Sequence, residues 1–294
     1  MKEFSCRAEL VWDSRCELGE SPVIDERTGR LYFIDIYGRK VLAYGTKDGS
    51  HRVWPMPANV ASLGLCASGR LLVALDKYAV FLDPETGKIE SFSEVLDEPE
   101  LNKLNDGKVG PDGCFWVGSR NGTNPRQHTG TLYRLTPDGR FTIKADGYLT
   151  CNGLAWSPDG RTMFHSDSSQ RIVDAWDFDA KNGTIANRRR IVEQTEAEGH
   201  PDGAACDAKG NYWSACPRTG CLKQISPAGE LLTRILLPEV PFPTMPCFAG
   251  QHVYITTLRR GRSDDIVRKY PTLGSLFRIP APEKGAEVGR FNDV

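Results

Sequence analysis

The chain has 294 residues, of which 26% are charged and 39% hydrophobic, and it contains 12 Phe, 9 Tyr and 6 Trp. This composition is typical of a globular protein with ample residues for a core. The formal net charge is −1 and the isoelectric point is about 6.5, so no overall positive field favours nucleic acid or an anionic membrane surface.

Residues 1–10 mix charged and single apolar residues and lack the unbroken apolar core of a signal peptide. No later stretch approaches a membrane span. We therefore expect a cytoplasmic protein, a monomer or weak homo-oligomer, that binds neither nucleic acid nor membrane. The nine cysteines are scattered without a Cys-x-x-Cys motif, and we expect them to be small buried hydrophobes rather than disulfide partners.

One pattern recurs six times: a polar residue opens a short apolar run, a glycine turn follows, and a second β-rich run comes next. In chain order the paired runs are 20–24 with 31–36, 62–65 with 71–75, 105–109 with 115–119, 152–156 with 162–166, 202–206 with 212–216, and 244–248 with 253–257. The polar anchors that open them are Glu20, Ser62, Asn105, Asn152, Asp202 and Thr244. Their spacing of about 42 to 50 residues matches the length of a propeller blade.

A further hairpin follows each of the first five pairs, over residues 40–54, 78–92, 131–143, 172–188 and 221–236. The sixth pair is followed by only one more strand, at 275–279, while a spare strand stands at 8–13. The pattern predicts an all-β, six-bladed β-propeller with four antiparallel strands per blade, formed by residues 1–294 as a single domain. The N-terminal strand would complete the last blade and close the ring. An open β-sandwich is the alternative to a closed propeller. The nearest candidate for a helix is the stretch 193–198.

The first strand of each propeller blade lines the central channel, so the six anchors are expected to form a ring around the axis. All six carry polar oxygens, with carboxylates at Glu20 and Asp202. Each motif alone is more often a turn former than a ligand. Two carboxylates facing one narrow channel would repel each other without a cation between them, and this favours a divalent metal that prefers oxygen ligands.

Four strings carry a family resemblance: Leu18-Gly-Glu20-Ser-Pro, Leu104-Asn105-Asp-Gly-Lys-Val, Cys151-Asn152-Gly-Leu-Ala-Trp, and His200-Pro-Asp202-Gly-Ala. Together they resemble the senescence-marker-protein, gluconolactonase and luciferin-regenerating-enzyme family. The resemblance implies a metal-dependent lactonase that hydrolyses an aldonolactone to its aldonic acid. It also implies one divalent ion, Ca²⁺ being favoured over Zn²⁺, Mn²⁺ or Mg²⁺, held by Glu20, Asn152 and Asp202. Asp202 would also be the catalytic acid and base, and Asn105 would contact the substrate.

The sequence departs from the family pattern in two places. Lys103 stands where the animal members have an arginine, and it is expected to orient a sugar hydroxyl or assist an oxyanion without the bidentate fork of arginine. The segment 119–129, expected to be a loop over the channel, does not align with the family's acidic substrate-binding residue. His200 is an alternative base, although a polar loop histidine is the simpler interpretation.

Two other classes of function remain open. One is a different metal-dependent esterase or lactonase on the same ring, which an apolar channel mouth would favour, whereas a polar pocket would favour a sugar. The other is a non-catalytic calcium-binding or interaction propeller. The chain contains no GxSxG elbow, Walker loop, HExxH or GxGxxG motif that would indicate another chemistry.

Overall fold

Short apolar runs separated by glycine turns fill the chain, and in the computed structural model of residues 1–294 they form 25 strands. Two strands precede the first repeat, β1 (Lys2–Ser5) and β2 (Glu9–Trp12). Blades one to three contain β3 (Gly19–Asp25), β4 (Arg30–Asp35), β5 (Lys40–Gly45), β6 (His51–Pro55), β7 (Val60–Leu65), β8 (Leu71–Leu75), β9 (Ala79–Leu82), β10 (Ile89–Ser91), β11 (Lys103–Val109), β12 (Phe115–Arg120), β13 (Gly130–Leu135) and β14 (Phe141–Tyr148). Blades four to six contain β15 (Cys151–Trp156), β16 (Thr162–Asp167), β17 (Ile172–Asp179), β18 (Thr184–Glu193), β19 (Ala204–Cys206), β20 (Tyr212–Cys216), β21 (Cys221–Ile225), β22 (Leu231–Leu236), β23 (Pro243–Ala249), β24 (His252–Thr257) and β25 (Leu276–Pro280).

Six sheets stand in a ring, and in four of them the strands follow chain order from the inner to the outer edge, whereas N-terminal strands form the outer edges of blades five and six. The inner strands β3, β7, β11, β15, β19 and β23 each pack against the next, and β23 packs against β3. The ring therefore closes around a central channel. This confirms the predicted six-bladed β-propeller with four antiparallel strands in each blade.

The N-terminal segment adds an outer strand to each of two blades. Strand β2 pairs antiparallel with β25 and completes blade six, which confirms the closing strand predicted at residues 8–13. Strand β1 pairs parallel with β22 and adds a fifth strand to blade five, a feature that the sequence does not predict. Its four residues include one partly buried apolar side chain, Phe4, so they carry no alternating pattern long enough to indicate a strand.

Helical structure is confined to two short segments between strands. A 3₁₀ turn spans Glu196–Glu198, within the predicted candidate stretch, whereas Glu193 belongs to β18. The helix α1 (Asp264–Lys269) is not predicted, because none of its residues is buried and it therefore has no apolar periodicity. Ser263 caps it by accepting a hydrogen bond from the Ile266 N–H.

The hydrophobic core lies between adjacent blades. The largest cluster contains 16 buried residues and joins side chains of blade one, such as Ile34 and Trp54, with Val60 and Val73 of blade two. Each buried aliphatic side chain contributes about 1.5–3 kcal/mol relative to exposure, so contacts between blades stabilise the ring. All nine cysteines are free thiols and eight are buried, as expected from the sequence. None of the helices has the length and apolarity that a membrane crossing requires.

Candidate functional site

A polar cavity of about 240 Å³ opens at the end of the channel where the inner strands β3, β11 and β15 begin. Only five of its 18 lining residues are hydrophobic. Four of the six predicted anchors line it: Glu20, Asn105, Asn152 and Asp202. The repeat therefore brings together residues that are as many as 182 positions apart in the chain (202 − 20).

The other two anchors, Ser62 and Thr244, do not line the cavity, which corrects the expectation of one ring of six equivalent positions. Both are fully buried, and Thr244 Oγ1 donates to the Gly19 carbonyl oxygen at 2.6 Å. The pairing irregularity of β7 precedes Ser62, and that of β23 falls on Thr244 itself. In β3 and β15 the irregularity instead follows the anchor, so the anchors do not occupy equivalent positions relative to the bulge.

Asp106 lines the cavity beside Asn105, although neighbouring residues in a regular strand point to opposite faces. The register of β11 shifts between Leu104 and Gly107, and Asn105 and Asp106 are the two residues left unpaired there. A β-bulge of this kind redirects a side chain. Asp106 was not predicted as a site residue, because a register change of this kind has no periodic pattern in the sequence; the Asn-Asp-Gly string was the available signal.

Glu20, Asp106 and Asp202 place three carboxylates around the cavity. Burial, and then the charges of Asp202 and Asp106, raise the pKa of Glu20 well above its usual range. Withdrawal from solvent, reinforced by the charge of Asp106, raises the pKa of Asp202 to about 7. Burial also raises the pKa of Asp106, opposed mainly by the positive charge of Lys108. Buried like charges that act on one another favour either a shared proton or a bound cation.

Asn152 connects the cavity residues of blades four and five. Its Nδ2 donates to Asp202 Oδ1 at 2.5 Å and to Ser168 Oγ at 3.0 Å, while its Oδ1 accepts from the Gly153 N–H at 3.0 Å. Exchanging the amide oxygen and nitrogen would bring the oxygen next to the Asp202 carboxylate. Such a pair of oxygens is stable only with a proton or cation between them.

The donor set of the cavity fits a hard divalent cation. No three Asp, Glu, His or Cys side chains converge as a cluster, so an ion here would need the Asn152 amide as well as carboxylates. Glu20, Asn152 and Asp202 offer oxygen ligands only, as Ca²⁺, Mg²⁺ and Mn²⁺ prefer. Asp106 adds negative charge, and its buried Oδ1 has no hydrogen-bond partner. The chemistry of these side chains is therefore compatible with a bound cation.

Of the two predicted substrate-binding residues, the structure places only Asn105 in the main cavity. Its Nδ2 donates to the Cys151 carbonyl oxygen at 2.9 Å, which leaves Oδ1 available as an acceptor. Lys103 lines a small adjoining recess instead, where its Nζ lies 3.0 Å from Asp76 Oδ1. The positive charge of Lys103 is therefore paired with Asp76 rather than directed into the main cavity.

His200 lines the cavity, but acceptors engage both of its ring nitrogens. Nδ1 lies 2.9 Å from the Ser168 carbonyl oxygen, which can only accept. Nε2 faces the two carboxylate oxygens of Glu196 at 3.2 Å. This arrangement favours a structural role for His200 over the role of a general base.

Two arginines also line the cavity, and neither was predicted as a site residue from the sequence. Arg120 is the last residue of β12, and Arg126 lies in the segment that follows it. Both fall within 119–129, the stretch that matches no family motif. The available signal for these two site residues was the presence of two arginines in a segment that was expected to lie over the channel.

Comparisons with known proteins agree with the motifs. The family model described as the SMP-30/Gluconolactonase/LRE-like region matches residues 18–259. Regucalcin from Oryctolagus cuniculus is 33% identical over 283 residues, which are 94% of each chain. A crystal structure of a calcium-binding regucalcin from Agrobacterium tumefaciens shares the fold, with a TM-score of 0.90 at 24% identity over 100% of this chain and 99% of that one. A luciferin-regenerating enzyme matches with a TM-score of 0.87 at 27% identity over 98% and 100% of the two chains. The chain therefore belongs to the SMP-30/gluconolactonase/LRE-like family, as its four motifs predict.

Proposed function

We propose that this protein is a metal-dependent lactonase that hydrolyses a sugar lactone to the open-chain acid. The observation that carries the proposal is the polar cavity that Glu20, Asn152 and Asp202 line. Membership of a family whose description includes gluconolactonase supports it. The small share of hydrophobic lining residues favours a hydroxyl-rich sugar over an apolar lactone or an organophosphate ester.

Glu20, Asn152 and Asp202 would hold the single divalent ion. Ca²⁺ is favoured because all three ligands are oxygens and because one structural relative is described as a calcium-binding protein. Mn²⁺, Mg²⁺ and Zn²⁺ are the alternatives that an assay must include. When bound, the cation would supply Lewis-acid stabilisation of the negative charge that develops on the lactone carbonyl oxygen.

Asp202 is the proposed general base and acid. As the oxygen of a water molecule forms its bond to the lactone carbonyl carbon, the Asp202 carboxylate would take the proton of that water. When the bond from this carbon to the ring oxygen breaks, Asp202 would return the proton to the departing oxygen.

Asn105 is the proposed substrate contact on the channel wall. With its Nδ2 bound to the Cys151 carbonyl, its free Oδ1 would accept a hydrogen bond from a sugar hydroxyl. Lys103 would reach a substrate only by leaving Asp76, so we propose a smaller contribution from it.

A pH-indicator assay with a panel of aldono-γ- and δ-lactones tests the proposal. The protein is freed of metal with a chelator, and Ca²⁺, Mn²⁺, Mg²⁺ or Zn²⁺ is then restored. We expect hydrolysis only with metal, and a loss of at least about 100-fold in Asp202→Asn, because an amide cannot take the proton. Asp97→Asn is the matched control, since Asp97 is exposed and lies outside the cavity.

Three outcomes separate the candidate functions. Metal-dependent hydrolysis that Asp202→Asn abolishes supports the lactonase. The absence of hydrolysis for every lactone with every metal refutes the lactonase. If the protein hydrolyses no lactone but binds Ca²⁺, and Glu20→Gln removes that binding, the protein is a non-catalytic calcium-binding propeller.

We further propose that the protein acts in the cytoplasm as a monomer or weak homo-oligomer. Nine free thiols, eight of them buried, are compatible with a reducing compartment. Sedimentation analysis of the purified protein would test its oligomeric state.

A further inference from the structure

The two arginines of the cavity wall have no carboxylate partner. Arg120 Nη2 donates to the Tyr37 hydroxyl at 3.1 Å, and Arg126 Nη1 donates to the Asn121 carbonyl oxygen at 2.7 Å. Neither guanidinium has a carboxylate oxygen within the 4.0 Å that defines an ion pair. The acidic residues of the cavity therefore do not pair with them, and most of the donor positions of both forks remain free.

The two guanidinium groups are close enough to act on each other. Part of the Arg126 side chain is exposed, and the partial burial of its guanidinium, followed by the positive charge of Arg120, lowers the pKa of Arg126. Neighbouring like charges are unfavourable unless an anion lies between them. The planar forks of arginine match carboxylate and phosphate oxygens in a bidentate fashion.

Tyr37, which also lines the cavity, holds Arg120 through the hydrogen bond to its hydroxyl. Its ring also lies under the Arg260 guanidinium, 3.8 Å from the ring centroid. Arg260 differs from the other two because its Nη1 lies 3.0 Å from Glu17 Oε2. The unpaired positive charge at the cavity is thus confined to Arg120 and Arg126.

The cavity therefore has two poles of opposite charge. Glu20, Asp106 and Asp202 form the acidic pole, where the cation and the lactone carbonyl are proposed to meet. Arg120 and Arg126 form the basic pole of the same cavity. A substrate that satisfies both poles has a lactone group at one end and an anionic group at the other.

We infer that Arg120 and Arg126 form an anion subsite that selects sugar lactones carrying a carboxylate or phosphate group over neutral ones. The inference rests on the proposed lactonase function and names its substrate class. Lys103 does not supply this subsite, because Asp76 already pairs with it. A carboxylate and a phosphate offer the same acceptor geometry to the two forks, and substrates of both kinds distinguish them.

The test compares kcat/KM for three lactones with the metal-loaded protein: D-glucaro-1,4-lactone, 6-phospho-D-glucono-1,5-lactone and D-glucono-1,5-lactone. We expect at least one anionic lactone to be preferred over the neutral one. In Arg120→Gln and Arg126→Gln this preference should fall by roughly 10- to 100-fold, the value of a lost charge-assisted hydrogen bond. Arg126→Lys should keep part of the preference because it keeps the charge.

Two further measurements separate a contact with substrate from a structural effect. Raising the salt concentration should increase KM for the anionic lactone more than for the neutral one, since Arg126 is exposed and its charge is screened. Arg161→Gln is the matched control: Arg161 is exposed in the turn before β16, away from the cavity, and its removal should leave the preference unchanged.

The possible failures are distinguishable. If neutral lactones are hydrolysed as well as anionic ones, and both arginine variants leave the ratio unchanged, the anion subsite is refuted while the lactonase stands. If no lactone is hydrolysed, the lactonase is refuted, and calorimetry with D-glucarate and D-gluconate then decides the subsite. Tighter binding of D-glucarate that the arginine variants abolish would support the subsite, and equal binding of both acids would overturn it.

Discussion

The free energy of unfolding should depend on pH through one buried histidine, His165, in strand β16. Its side chain is 1% exposed, and neither ring nitrogen has a hydrogen-bond partner. The ring meets Tyr148 edge-on, with 4.6 Å between the ring centroids. Burial lowers the pKa of His165 to about 4, against the attraction of Asp167 and Asp174.

The sign and size of the effect follow from this lowered pKa. An unfolded histidine titrates near its ordinary value of about 6.5, so the folded state binds the proton less well than the unfolded state. The stabilisation is fully present above about pH 6.5 and is lost as the pH falls toward about 4. At about pH 5 the loss amounts to about 2 kcal/mol relative to neutral pH.

Urea unfolding near pH 7.5, pH 6 and pH 5 measures this loss, and His165→Leu isolates it. Other groups titrate equally in both proteins. The free energy of unfolding of the wild type should therefore fall by about 2 kcal/mol more than that of the variant between about pH 7.5 and about pH 5. His165→Gln, which is polar but does not titrate, should behave like the leucine variant. Equal losses in wild type and both variants would refute the assignment.

Two further predictions concern the cavity wall and the packing behind it. Asn105→Ala should lower kcat/KM for the preferred lactone by about tenfold through one lost hydrogen bond. Lys103→Ala should lower kcat/KM less, because Lys103 already forms an ion pair with Asp76. A larger loss in Lys103→Ala than in Asn105→Ala, measured by steady-state kinetics, would contradict the placement of these residues. Gly118→Ala should lower the free energy of unfolding by roughly 1–3 kcal/mol, because its Cβ would lie 2.0 Å from the Cβ of Cys151. Unchanged urea unfolding in that variant would show that the two strands can separate there.

The ring could be predicted from the sequence because each blade repeats the same turn chemistry at nearly constant spacing. The closing strand followed from a simple count, since the sixth unit lacked one strand and the N-terminus had one to spare. Strand β1 could not be predicted in this way, because its partner β22 belongs to a blade that already has four strands. Its pairing depends on tertiary proximity rather than on a local pattern.

The candidate site was predictable only in part. Glu20, Asn105, Asn152 and Asp202 follow from motif positions, and the structure places all four around one cavity. Asp106 reaches the same cavity through a β-bulge, a register change that no periodic pattern specifies.

The pairing of β2 with β25 also constrains how the protein is made. Glu9 and its ion-pair partner Arg278 are 269 residues apart, so β2, one of the first strands to leave the ribosome, has no partner until the last strand, β25, has been made. At about 5–20 residues per second, synthesis of the intervening chain takes roughly 15–50 s. Throughout that interval the nascent chain carries an open ring with unpaired strand edges. A polypeptide released before β25 has emerged would keep those edges exposed, which would mark it for recognition by chaperones or proteases.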